Sequence, residues 1–279
     1  MTGILEGKVV IVTGAGAGLG RAYAEHAASE GAAVVVNDID GETSAETVRS
    51  IEDRGGRAIA SDHDVADWKA AEALVALAHE EFQGLDGLVN NAGVLSICEP
   101  GEETEASIRQ QIEVNLMGAA FVGTHAIHAM RAAGGGSIVN ATSAAQMGIS
   151  KISTYGATKG ALASLTYGWA LDLRSANIRV NGYAPVASTQ MTSRSPIPVS
   201  GVPTPAENAA TVSYLLSDAS VGITGQVVQR RGTELVVMSH PDYTDHQATA
   251  GDWDTDSVIA HFDPVLRAGL QPVGDPRLR

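Results

Sequence analysis

The chain has 279 residues, of which 44% are hydrophobic and 18% charged, and its formal net charge is -14 at pH 7. This composition suits one large α/β domain with an ample apolar core, whereas the negative charge disfavours a nucleic acid or an anionic membrane as partner. Cys98 is the only cysteine, which excludes an intramolecular disulfide, and with no signal peptide or long apolar run in view we expect a cytoplasmic protein.

The first predicted element is a buried parallel strand at residues 8–13, where β-branched residues run continuously. A glycine-rich loop follows, and residues 21–30 favour an alanine-rich helix. In this order, the loop brings bare backbone to a helix N-terminus, which favours the binding of a pyrophosphate. The predicted cofactor contacts in the loop are Gly14, Gly16, Ala17, Gly18, Leu19 and Gly20.

The second apolar run, at residues 33–37, ends in Asp38. A carboxylate at this place can hydrogen-bond the ribose hydroxyls of adenosine and would repel a 2′-phosphate. The neighbours Asn37, Ile39 and Asp40 include no basic residue. The sequence therefore predicts NAD as cofactor, in contact with Asp38 and Ile39; the alternative is that Asp38 only caps the next helix.

Helices and strands continue to alternate along the rest of the chain. Helices are predicted at 41–54, from an N-cap at Asp67 to about residue 82, and at 105–132, 155–173 and 205–217. Further strands are predicted at 57–61, 85–90, 136–142, 179–185 and 225–228. The alternation predicts a single Rossmann-type, doubly wound parallel sheet of seven strands with helices on both faces.

Two short segments at strand ends are predicted to line the cofactor crevice. Asp64 and Val65 follow the third strand, where a doubly wound sheet would hold the adenine edge. Asn91, Ala92 and Gly93 follow the fourth strand, and small and amide residues there fit a second loop beside the cofactor.

Tyr155 and Lys159 are four residues apart on a predicted helix and therefore project from one face, one turn apart. A lysine ammonium favours the phenolate and is expected to lower the tyrosine pKa, so the pair can exchange a proton with an alcohol or a carbonyl. Ser143, at the end of the preceding strand, can hydrogen-bond the same substrate oxygen. Taken alone, such a pair is more often a solvated helix face.

Together, these motifs resemble the classical short-chain dehydrogenase/reductase family over residues 5 to about 232. The matching motifs are Thr13-Gly14-x-x-x-Gly18-x-Gly20, Asp64-Val65, Asn90-Asn91-Ala92-Gly93, Val114-Asn115-Leu116, the run from Gly136 to Ser143, and Tyr155-x-x-x-Lys159. They occur in the family's order and with its approximate spacing.

The resemblance implies a catalytic tetrad of Asn115, Ser143, Tyr155 and Lys159. Tyr155 would be the acid/base, and Ser143 would hold the substrate oxygen. Lys159 would lower the Tyr155 pKa and bind the nicotinamide ribose. Asn115 would kink its helix and hold a water in a proton relay.

The sixth strand ends at Pro185, where the family usually continues with glycine but this chain has Val186. Pro185, Ser188 and Thr189 are candidates to contact the nicotinamide carboxamide and the phosphates. Residues 191–204 occupy the place of the family's substrate-binding loop and are short, which suggests an open site and a bulky substrate. The run after Pro185 is similar to that of multifunctional-enzyme 3-hydroxyacyl-CoA dehydrogenases, a subgroup that includes hydroxysteroid dehydrogenases.

We expect two segments, with residues 1–232 forming the NAD-binding catalytic domain and residues 233–279 a C-terminal extension. Asp254 is predicted to cap a short amphipathic helix in the extension. Residues 252–263 do not form a calcium loop, because the sixth position is Ser257 and the twelfth is Asp263. No metal site is predicted.

The sequence thus predicts an NAD-dependent oxidoreductase that interconverts a secondary alcohol and a ketone. The substrate would be a steroid, a cyclic or aryl alcohol, or a 3-hydroxyacyl-CoA. A non-catalytic NAD-binding sensor and an assembly protein on the same fold remain alternatives. The family resemblance, together with small residues around Gly160 and an apolar stripe around Met117, implies a homotetramer.

Overall fold

The computed structural model describes residues 3–187 and 202–272, which form two compact units. The first unit extends to Met238, and the second begins at Ser239. The strands of the first unit are β1 Val9–Thr13, β2 Ala33–Asn37, β3 Arg57–Ser61, β4 Gly87–Asn90, β5 Gly136–Ala141, β6 Ile178–Ala184, β7 Val227–Arg231 and β8 Glu234–Met238. Its helices are α1 Gly18–Ser29, α2 Gly41–Glu52, α3 Trp68–Phe82, α4 Glu105–Ile112, α5 Ala119–Ala133, α6 Ser153–Asp172 and α7 Pro205–Leu216.

In the described residues the sheet has eight strands, in the order β3-β2-β1-β4-β5-β6-β7-β8. Strands β1 to β7 are parallel to their neighbours, which confirms the predicted doubly wound fold. The prediction of seven strands missed β8, which pairs antiparallel with β7. Gly232, with φ of 57°, opens the two-residue turn between them, so the sheet continues past residue 232.

Each face of the sheet is covered by helices, because alternate strand residues point to opposite sides. Val9 and Ile11 of β1 join a cluster with buried residues of α3 and α5, such as Leu74 and Val122. Val10 and Val12 join the other cluster, which includes residues of α1, α2 and α7. Aliphatic residues form most of both cores, as the low aromatic content requires.

The strand order reverses between β1 and β4, and the crevice at the carboxyl ends of these strands is where doubly wound folds bind ligands. Side chains fix the starts of several helices near this edge. Asp40 caps α2, and Asp67 caps α3 as predicted. Thr204 and Glu207 form a capping box at the start of α7.

The second unit is described from Ser239 to residue 272 and contains the helix α8, Thr255–His261. Asp254 caps this helix as predicted, since its side chain accepts from the Ser257 N–H at 2.8 Å. The Trp253 and His261 rings are in contact, with centroids 5.4 Å apart.

Candidate active site

The glycine loop after β1 forms a cradle of bare backbone. A Cβ added to Gly20 would lie 2.0 Å from the Gly14 carbonyl oxygen, and one added to Gly14 would lie 2.8 Å from the Ala92 Cα. These two glycines therefore let the loop pack closely against its own backbone and against the segment after β4. The N-cap of α1, Ala17, makes no capping hydrogen bond, so the first-turn N–H groups of α1 lack side-chain partners and can bind a phosphate.

Asp38 lies beside this cradle at the end of β2. Its Oδ2 accepts from the Gly16 N–H at 2.9 Å, and its Oδ1 accepts from the Asp40 N–H at 3.1 Å. Since the cap of α2 is Asp40, the alternative role of Asp38 as a cap of that helix is wrong. A carboxylate has about four acceptor sites, so Asp38 can still receive two ribose hydroxyls. The adjoining Ile39 is 69% exposed and offers an apolar surface.

The segment after β3 supports the other side of the crevice. The Asp64 Oδ1 accepts from the Ala66 N–H at 2.9 Å, which shapes a turn. Val65 is buried against Gly118, where an added Cβ would lie 2.8 Å from the Val65 side chain. The structure therefore places Asp64 at the surface and Val65 in the wall, at the strand edge where the prediction located them.

The segment after β4 is bonded directly to the glycine loop. The Thr13 hydroxyl accepts from the Asn91 and Ala92 N–H groups at 3.0 and 3.1 Å. The Asn91 amide donates to the Thr13 and Gly14 carbonyls at 3.0 and 3.1 Å. A Cβ on Gly93 would lie 3.7 Å from the Lys159 Nζ, so this segment links the cradle to the predicted catalytic lysine.

Asn115 lies in a π-helical turn, Glu113–Gly118, between α4 and α5. The π turn interrupts the helix predicted over 105–132 at Asn115, where the family resemblance implies a kink. The Asn115 amide donates to the Val94 carbonyl at 2.9 Å and to the Thr158 hydroxyl at 3.1 Å, and its Oδ1 accepts from the Val94 N–H at 2.7 Å. Both amide hydrogens are thus donated to protein atoms, and the side chain has none left for a relay water.

Ser143, Tyr155 and Lys159 come together beyond the end of β5. The Lys159 Nζ lies 5.6 Å from the Tyr155 ring centroid and donates to the Ala141 carbonyl at 2.7 Å. Burial lowers the pKa of Lys159 from 10.5 to about 8. Burial also raises the pKa of Tyr155, against a hydrogen bond with Ser143 that acts in the opposite direction. The net shift of the Tyr155 pKa is therefore upward, opposite to the lowering that was expected, because desolvation is the largest effect on this hydroxyl.

The end of β6 is held by a residue that the sequence analysis did not identify. The buried Asn208 of α7 accepts from the Tyr183 hydroxyl at 2.8 Å. Its amide donates to the carbonyls of Val186, at 3.2 Å, and Thr204, at 3.0 Å. Pro185 precedes this anchored residue, while the predicted contacts Ser188 and Thr189 lie outside the described residues. The sequence feature that could have identified Asn208 is a polar residue at a position of α7 that faces the core.

Residues 3–187 and 202–272 contain neither a cluster of metal-ligating side chains nor a membrane-spanning helix. No group of three or more His, Cys, Asp or Glu side chains in this part of the chain could hold a metal ion. None of its helices is both long and apolar enough to cross a membrane.

Comparisons with known proteins give a consistent result. The family model described as short chain dehydrogenase matches residues 8–197. The cis-4-hydroxycyclohexanecarboxylate dehydrogenase of Sinomonas cyclohexanicum is 36% identical over 234 residues, which are 79% of this chain and 94% of that protein.

Two solved structures match the chain over different lengths. A short chain dehydrogenase from Mycobacterium avium has a TM-score of 0.88 and 33% identity, covering 97% of this chain and 98% of its own. A 7α-hydroxysteroid dehydrogenase in complex with NADH and 7-oxo glycochenodeoxycholic acid has a TM-score of 0.74 and 32% identity, covering 82% of this chain and 94% of its own.

Proposed function

The chain belongs to the short-chain dehydrogenase/reductase family, whose members are oxidoreductases of alcohols and carbonyl compounds, and on this premise we propose that it uses NAD, with Tyr155 as its proton-transfer group. The observation that carries the proposal is the meeting of Ser143, Tyr155 and Lys159 beside a glycine cradle. A protein that only sensed NAD would have no use for this arrangement.

The choice of NAD over NADP rests on Asp38. Its carboxylate lies beside the cradle, within hydrogen-bond distance of the Gly16 N–H, and the residues around it include no base to receive a 2′-phosphate. A phosphate there would meet a like charge. The NADH in the solved steroid dehydrogenase structure belongs to that protein and supports the same choice here.

A nicotinamide cofactor, when bound, would accept or supply the hydride. The residues of this chain then have to hold the substrate oxygen and move one proton at it. Ser143 donates to that oxygen, and the Tyr155 hydroxyl gives it a proton during ketone reduction or takes one during alcohol oxidation. Because burial raises the pKa of Tyr155, the phenol is protonated at neutral pH, which favours reduction, and alcohol oxidation should increase as the pH rises.

We propose a cyclic secondary alcohol, or the corresponding ketone, as substrate. The segment after β4, whose Gly93 lies near the Lys159 Nζ, contains Val94, Leu95 and Ile97, which are all partly exposed and offer apolar surface. Two relatives with similar sequences act on ring-bearing compounds, a hydroxycyclohexanecarboxylate and a bile-acid steroid. An apolar cleft discriminates rings by fit rather than by charge.

The test is a turnover assay with NAD, read at the NADH absorbance, over cyclic, aryl, steroid and 3-hydroxyacyl-CoA alcohols. Tyr155→Phe should lose at least about 100-fold in kcat, since acid–base catalysis contributes about 10²–10⁴-fold, and should still bind NADH. The matched control is Tyr214→Phe, at an exposed tyrosine of α7. Tyr155 is not the proton-transfer group if the phenylalanine variant keeps more than about a hundredth of the wild-type rate.

We also propose that the protein is a homotetramer. Ile108, Ile112 and Met117 are 37%, 39% and 40% exposed along α4 and the π turn, and an apolar stripe of this kind suits a symmetric interface. Leu171 of α6 is exposed as well. None of the described residues after Met238 is buried, and this part of the C-terminal extension would lie against a neighbouring subunit.

A further inference from the structure

We propose that Glu103 is a positioning residue for Tyr155, acting through Thr154; this inference rests on the proposed function. The Glu103 Oε2 accepts from the Thr154 hydroxyl at 2.6 Å, and its Oε1 accepts from the Gln111 amide at 2.7 Å. Thr154 immediately precedes Tyr155 in the first turn of α6. A carboxylate 51 positions away in the sequence therefore binds the side chain that immediately precedes the predicted acid/base.

The start of α6 depends on this carboxylate because the helix provides no cap of its own. Its N-cap, Ile152, makes no side-chain hydrogen bond, and its first turn contains no acidic residue. By contrast, Asp40, Asp67, Thr104 and Thr204 cap α2, α3, α4 and α7. A negative charge at a helix N-terminus is favourable, and Glu103 places one there from outside the helix.

The other end of the network reaches the segment that carries the predicted substrate wall. Gln111 of α4 is only 1% exposed, and its Oε1 accepts from the Ser96 N–H at 3.4 Å. Through Gln111, Glu103 thus joins the segment after β4 to the helix that bears Tyr155. Loosening this link would move the tyrosine relative to the substrate, and small misplacements of a reacting group reduce the rate strongly.

Nearby contacts reinforce the same two segments without reaching the helix. The Cys98 N–H donates to the Lys151 carbonyl at 2.9 Å, and the Lys151 ammonium pairs with Glu99 at 2.8 Å. Both of these contacts end at Lys151, before α6 begins. The Glu103–Thr154 bond ends on α6 itself, one residue from Tyr155, and the two effects can be separated by mutation.

The test is a double-mutant cycle with Glu103→Ala and Thr154→Val, measuring kcat, KM and the NADH Kd. We expect each single variant to lose about tenfold in kcat, with KM and Kd changed less than about twofold. The double variant should lose no more than Glu103→Ala, because the contact that Thr154→Val removes is already absent in that variant. Thr154→Ser keeps the hydroxyl and should retain the wild-type kcat.

The matched control is Glu102→Ala, which removes the neighbouring exposed glutamate and should leave all three constants unchanged. The proposal is overturned if Glu103→Ala keeps the wild-type kcat, or if the losses of the two single variants multiply in the double variant. An equal loss in Glu102→Ala would also overturn it, since a general effect of charge would then be the cause.

A second measurement does not require turnover. The ionisation of Tyr155 can be followed by phenolate absorbance, as the difference between a protein and its Tyr155→Phe counterpart. Burial raises the pKa of Tyr155, so loosening the first turn of α6 in Glu103→Ala should hydrate the hydroxyl and lower that pKa, whereas Glu102→Ala should not. If the wild type oxidises no alcohol, the proposed function fails. Separately, a Tyr155 titration that is the same in Glu103→Ala as in the wild type would reject the role of Glu103.

Discussion

Lys159 is a catalytic candidate whose burial has a measurable consequence for stability. A pKa of about 8 in place of 10.5 means that the folded protein disfavours the charged amine by about 3 kcal/mol, at about 1.4 kcal/mol for each pKa unit. Lys159→Met removes this charge but leaves the Ala141 carbonyl without its donor, which costs about 1–3 kcal/mol. At pH 7, the variant should therefore be as stable as the wild type or up to about 2 kcal/mol more stable.

The sign of the pH dependence follows from proton binding. Below pH 8, Lys159 is charged in both the folded and the unfolded chain. Between pH 8 and 10.5, the folded protein releases this proton while the unfolded chain keeps it, so the stability of the wild type gains relative to the variant as the pH rises. From pH 7 to about pH 9.5, the difference should shift by about 2 kcal/mol in favour of the wild type.

The assay is urea unfolding of both proteins without cofactor, at pH 7 and pH 9.5 and at one protein concentration. The control is Lys69→Met, because Lys69 is exposed on α3 and its removal should change the stability equally at both values of pH. A stability difference between wild type and Lys159→Met that is the same at pH 7 and pH 9.5, within about 0.5 kcal/mol, would refute the reasoning. The variant should also lose alcohol oxidation.

Three further results are expected. Asp38→Ala should relax the preference for NAD over NADP, because it removes both the ribose hydrogen bonds and the repulsion of a 2′-phosphate; a wild type that prefers NADP in kcat/KM contradicts the assignment. Gly20→Ala should abolish NADH binding in a fluorescence titration, because the new Cβ would lie 2.0 Å from the Gly14 carbonyl oxygen. The control variant Gly84→Ala should bind NADH normally, since nothing lies within 4 Å of its added Cβ. Light scattering should give a tetrameric mass, which a monomeric mass rejects, and deletion of residues 240–279 should change the mass or the KM if the extension contacts a neighbouring subunit.

Local patterns were sufficient for the sheet and the cradle. The β-branched runs of β1 and β2, the glycines between β1 and α1, and the Asp67 cap are all short-range signals, and the structure contains each of them. The hairpin strand β8 was missed because we assigned the sequence after residue 232 to the extension. Its residues include Val236 and Val237, which suit a strand.

Contacts between distant segments account for what the sequence did not predict. The kink at Asn115 was implied by the family resemblance alone, because the residues of the π turn favour an ordinary helix locally. The turn is accompanied by bonds from Asn115 to Val94 and Thr158, which are distant in the sequence. The raised pKa of Tyr155 reflects burial, which depends on the packing of the whole site. Glu103 has no signature at all, because its partner Thr154 lies 51 positions away.

Asn208 has a consequence for how the substrate range of such an enzyme can change. One amide group fixes the carbonyls of Val186 and Thr204, so the chain that joins these two residues begins and ends at the same buried point. Lengthening a loop between fixed ends costs only about 0.6 kcal/mol for each doubling of its length. We therefore expect that a sequence of a different length can be grafted between these two anchors while the cofactor cradle stays unchanged.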